Sequence, residues 1–103
     1  MIRGTTPPHT FVIQNEDFDT STIEKVNVLY SQDYHLLFRK KHDDCVVSGN
    51  TISTKLTRDE SLMFVHGRPA QIQLVYETTD GEVQATDIMT CVVGRLLDDG
   101  ELE

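Results

Sequence analysis

From Lys25 to Gly94 the chain repeats one pattern: short runs in which every second residue is apolar, each closed by a tight turn. A period of two puts alternate side chains on one face of an extended strand, whereas a helix needs a period near 3.6. Val26, Val28 and Tyr30 thus share a strand face, as do Ile52, Thr54 and Leu56, and again Ile72, Leu74 and Tyr76. The pattern predicts an all-β fold, a sandwich or small barrel.

Turn chemistry divides the chain into hairpins. A first strand is expected over about His9 to Gln14, entered through an extended arm, residues 1–8, because Pro7 and Pro8 lack the N–H that a ladder needs. Asn15 to Ile23 is polar and acidic and reads as a loop or a single helical turn. Glu24–Ser31 and Tyr34–Lys40 form the first hairpin around Ser31-Gln32-Asp33, with Leu36 and Phe38 sharing a parity. Cys45–Val47 and Thr51–Leu56 form the second around Ser48-Gly49-Asn50, where Gly and Asn supply positive φ. Thr57-Arg58-Asp59-Glu60 matches a capping box, so one short helix near Thr57–Phe64 is expected, burying Leu62 and Phe64 and stopping near Gly67 and Pro69. Ala70–Glu77 and a long strand from Glu82 to about Leu96 then flank Thr79-Asp80-Gly81. That last strand should be bent or bulged near Asp87, because its apolar residues switch parity there.

Roughly seven antiparallel strands with one helical crossover predict an immunoglobulin-like β-sandwich. The antibody hallmarks are missing: the chain has no Trp, and Cys45 and Cys91 do not fall on the strands of an inter-sheet disulfide. Val28, Ile52, Leu56, Ile72, Leu74 and Val92 are the expected core. The length of 103 residues suits one domain, 1–103, with residues 98–103 an acidic tail. No apolar run approaches the roughly 20 residues that span a bilayer, and the N-terminus lacks the apolar stretch of a secretory signal. Cytoplasmic synthesis and free thiols at Cys45 and Cys91 are expected.

The net charge of −8 gives a field that repels phosphate, which argues against nucleic acid as a partner. One basic run, Arg39-Lys40-Lys41-His42, is followed at once by Asp43 and Asp44 and reads as a solvated loop with local ion pairs, in preference to a charged docking patch. Histidines 9, 35, 42 and 66 lack ligand spacing, and His42-Asp43-Asp44-Cys45, read as strand, would point to opposite faces. No metal site, cofactor site or catalytic residue is therefore assigned. Cys45 and Cys91 precede Val pairs and read as inert core thiols rather than nucleophiles. Asp98 and Asp99 have nothing to split their pKa values for acid–base work, and no Gly-rich phosphate cradle occurs. An enzyme is not expected.

The order Met1-Ile2-Arg3-Gly4-Thr5-Thr6-Pro7, Ile23 to Tyr30, Gly49-Asn50-Thr51-Ile52, Leu56-Thr57 leading to Glu60, Gln71-Ile72-Gln73 and Asp80-Gly81 resembles a family of small proteins encoded in prophages of gut Firmicutes. The resemblance covers nearly the whole chain. In strand order and helical crossover the chain is similar, more distantly, to the immunoglobulin-like N-terminal domain of phage baseplate upper proteins, without their receptor-facing C-terminal extension. The resemblance implies a tail or baseplate component, virion-associated after synthesis, and transfers no functional residues.

Three functions follow as expectations. The first is a non-catalytic phage structural or accessory protein that binds other virion proteins or itself, through its edge strands Phe11–Gln14 and Cys45–Val47. The alternative is an acidic host-directed inhibitor imitating nucleic acid, against which the scatter of carboxylates counts. A carbohydrate-binding module is disfavoured by the missing Trp and modest aromatic content.

Overall fold

The structure, a computed structural model, describes residues 1–13 and 23–95. The expected loop over 15–22, the end of the first strand at Gln14 and the acidic tail lie outside them. The described residues form two antiparallel sheets. The smaller has strand order β1-β5-β4, with β1 Pro8–Val12, β4 Cys45–Ser48 and β5 Thr51–Lys55. The larger has order β3-β2-β6-β7, with β2 Ile23–Gln32, β3 His35–Lys41, β6 Ala70–Thr78 and β7 Val83–Ala85, while β8 Met89–Cys91 also pairs with β6. A short helix, α1 Arg58–Ser61, carries the chain from one sheet to the other.

This is the immunoglobulin-like sandwich predicted from the strand pattern. Strands β1, β5 and β4 take the B, E and D positions, β3, β2 and β6 take C′, C and F, and β7 and β8 together make G. No described strand takes the A position beside β1.

One hairpin turn differs in detail from the sequence expectation. The β2–β3 turn is Asp33-Tyr34 and not Ser31-Gln32-Asp33, and both turn residues have positive φ, 54° and 67°. That matches the twist a two-residue hairpin loop requires, at a steric cost for a residue as large as tyrosine. A register shift between Tyr30 and Ser31 makes Leu37 the extra residue of β3, so Leu36 and Phe38 part company. Phe38 stacks on Tyr30 at 4.8 Å, whereas Leu36 is half exposed on the outer face.

The long final strand, expected to continue through a bend or bulge near Asp87, is interrupted there and divides into the two short strands β7 and β8. Thr86 spans the break, its N–H donating to the Leu74 carbonyl at 2.9 Å and its hydroxyl accepting from the Leu74 N–H at 3.1 Å. The shift in parity overturns one core assignment: Val92 is 79% exposed, and its neighbour Val93 is buried instead. Val46 is exposed as well, so the Val pairs after the two cysteines do not mark strands buried on both faces.

Val28, Ile52, Leu56, Ile72 and Leu74 are buried as predicted, alongside Phe11, Ile23, Val26, Tyr30, Phe64, Ala70 and Val93. Leu62 is only half buried. The aromatic centre is Tyr30, with Phe38 stacked on it and Phe64 edge-on at 6.2 Å.

The capping box forms as the sequence indicates. Thr57 Oγ1 accepts from the Glu60 N–H at 3.1 Å, and Glu60 Oε1 accepts from the Thr57 N–H at 2.8 Å. Thr57→Ala should destabilise the fold by about 1 kcal/mol, read as a lower denaturant midpoint at constant slope.

The arm is anchored at several points. Ile2 makes a parallel bridge to Gly94, and the Arg3 guanidinium donates to the Phe64 carbonyl at 2.8 Å. The buried Gly4, at φ 85°, donates its N–H to Ser61 Oγ at 3.0 Å. The Ser61 hydroxyl in turn donates to the Thr5 carbonyl at 2.6 Å. The arm thereby closes over α1 and the end of β8.

Candidate functional site

Polar groups in the interior serve the fold. His9 Nδ1 lies 2.8 Å from the Tyr30 hydroxyl. Burial holds the His9 pKa below its ordinary value, with the N-terminal ammonium adding to the effect, and burial drives the Tyr30 phenol far up. The Cys45 and Cys91 thiols are free, half buried and also pushed up, chiefly by desolvation. Raised thiol pKa values disfavour the thiolate that a nucleophile or metal ligand needs. His42, Asp43 and Asp44 form a 3-10 turn, not the strand assumed from sequence. Among the described residues no group of three or more His, Cys, Asp or Glu side chains is placed to hold a metal.

The basic run does not behave as the local ion-pair reading expects. Lys40 sits opposite Val28 and turns inward, where its ammonium meets Glu60 Oε1 at 2.6 Å rather than Asp43 or Asp44. Partial burial pushes the Glu60 carboxyl up, but hydrogen bonds from Lys40 and Thr57 outweigh it and hold the pKa below its ordinary 4.5. A lowered folded-state pKa contributes stability that is present above the unfolded value and lost as pH falls through the folded one. Denaturant midpoints measured against pH should therefore fall on the acid side of 4.5, and Glu60→Gln should remove part of that fall.

Arg39 and Lys41 point the other way. Their register partners are Leu29 and Asn27, which places both cations on the outer face of the larger sheet. There Lys25 pairs with Glu77 at 3.9 Å and Arg68 with Asp33 at 2.7 Å, whereas Arg39 and Lys41 have no ion-pair partner among the described residues.

On the same face lies a cleft of about 460 Å³. Its walls are Leu29, Tyr34, Leu36, Pro69 and Ile88, with the polar Ser31, Gln71 and Gln73 and the Asp33 carboxylate, which is paired with Arg68, also lining it. Tyr34, held out by the positive-φ turn, is fully exposed at 103%, and Ile88 and Leu36 are exposed at 62% and 50%. No sequence motif announced this surface. Its one local signal was Leu36 and Leu37 side by side in a strand that otherwise alternates.

The smaller sheet offers a different feature, its edges. Strands β1 and β4 are its two margins, as the sequence suggested. The Leu56 N–H donates to the Pro7 carbonyl at 3.0 Å and the Ile13 N–H to the Asn50 carbonyl at 2.9 Å. In an antiparallel ladder inward and outward groups alternate, so the odd residues of β1 bond to β5. The N–H groups of Thr10 and Val12 then face away from the sheet, where no described strand meets them. Pro8, also outward, has no N–H to offer.

Comparison with known proteins gave no significant match to a family model, a curated protein or a solved structure. Among the described residues no helix is long and apolar enough to cross a membrane.

Proposed function

We propose that this protein is a non-catalytic structural or accessory component of a phage tail or baseplate, working through protein–protein contacts at the free edges of its smaller sheet. The observation that carries the proposal is the outer edge of β1, which no described strand covers and where an immunoglobulin sandwich with a strand A would be closed. An exposed row of backbone donors and acceptors is a template for strand addition by another chain. The resemblance to prophage-encoded proteins supports the assignment to a virion. The net charge of −8 disfavours nucleic acid as the partner.

The test is co-expression with the proteins encoded beside it, followed by isolation of tail assemblies. Wild-type protein should enter the assembly. Val12→Pro, which removes an outward N–H and leaves the β5 ladder intact, should be incorporated far less while keeping its circular dichroism spectrum. A protein that stays outside the assembly and instead binds a host nuclease tightly would replace the structural role with the inhibitor role.

A further inference from the structure

We propose that the outer face of the larger sheet docks the acidic segment 96–103 of a second copy of this chain. The proposal rests on the protein-binding role above and names a partner for it. It joins the apolar cleft between Tyr34, Leu36 and Ile88 to Arg39 and Lys41 beside it, cations that have no ion-pair partner among the described residues.

The face asks for a ligand with two properties. It must supply apolar groups for the cleft walls, and it must carry carboxylates, because two cations stand without ion-pair partners among the described residues of a chain whose net charge is −8. Residues 96–103 read Leu-Leu-Asp-Asp-Gly-Glu-Leu-Glu and combine both properties. Eight extended residues reach at most roughly 26–29 Å, enough to cross several strands of a sheet spaced about 4.8 Å apart.

The geometry favours a second copy over the chain's own sheet. Before position 96 the chain runs along the inner side: Val93 is in the core, and the Gly94 N–H donates to the Met1 carbonyl at 2.8 Å. The cleft opens on the opposite side of the sheet, across β3, β2 and β6. A neighbouring molecule meets it without that detour. If two copies exchange the segment reciprocally the assembly closes as a two-fold dimer, and if the exchange is one-way it runs head-to-tail into a ring or a filament.

Sedimentation velocity over a concentration series, with full-length chains, tests the proposal. Wild-type protein should associate as concentration rises. Arg39→Glu with Lys41→Glu should weaken association at least about tenfold, as should Asp98→Arg with Asp99→Arg. Mixing the two variant proteins should restore a complex, because the unaltered segment of the Arg39→Glu, Lys41→Glu protein then meets the unaltered face of the Asp98→Arg, Asp99→Arg protein. In methyl NMR spectra, Leu29, Leu36 and Ile88 should shift with concentration in wild type only.

A wild-type protein that remains monomeric overturns the proposal, as does association that survives both reversals. Methyl shifts that are independent of concentration and vanish in the Asp98→Arg, Asp99→Arg variant would place the segment on its own sheet. Association lost with Val12→Pro but kept with both reversals would move the contact to the β1 edge. That outcome overturns the docking face and leaves the protein-binding role standing.

Discussion

Phe64→Ala should cost about 3–5 kcal/mol, the range for removing a buried aromatic ring from a packed core. Phe64 is 1% exposed and lies where α1 leads back into the larger sheet, edge-on to Tyr30 at 6.2 Å and to Phe38 at 5.7 Å. Its carbonyl also receives the Arg3 guanidinium, so the position ties the N-terminal arm to the crossover. Collapse into the vacated space would have to move β2, β3 and the crossover together, which argues for the upper part of the range. Urea unfolding of the variant checks this. A loss below about 1 kcal/mol would mean that the ring is not packed between the sheets as described.

Leu74→Ala should cost about 2–5 kcal/mol by the same cavity mechanism. Leu74 is fully buried at the middle of β6, opposite Val28 on the central strand β2. On the other edge its backbone binds Thr86, the residue that bridges the break in the last strand. The side-chain change leaves those backbone bonds in place, so the loss should appear in the denaturant midpoint with little change in slope.

Local signals were legible in the sequence because each depends on neighbours only a few residues apart. Val26, Val28 and Tyr30 alternate on one straight strand, Gly49 and Gly81 take positive φ in their turns although Asn50, expected to share it, does not, and Thr57 and Glu60 cap α1 as a pair three residues apart. Parity arguments failed where the backbone slips. The bulge at Tyr30 and Ser31 turned Leu36 outward, and the break around Asp87 exchanged Val92 for Val93 in the core.

Contacts between distant segments were not legible at all. Lys40 finds Glu60 rather than the acids that follow it, because a strand residue opposite Val28 must face the core. That inward turn leaves Arg39 and Lys41 on the outer face, so the cleft and its cations emerge only once β2, β3, β6 and the β7–β8 break are assembled. The arm carried no periodic apolar pattern, yet Gly4 and Ser61 meet in a buried hydrogen bond.

The most direct test of the protein-binding role is amide hydrogen exchange at Thr10 and Val12, measured on the free protein and on the assembled tail. In the free protein both amides should exchange quickly, since no described strand pairs with them, while Phe11 in the β5 ladder is protected. On assembly, Thr10 and Val12 should become protected by an added strand. Unchanged exchange at both residues within an assembly that contains the protein would contradict the use of the β1 edge as its docking site.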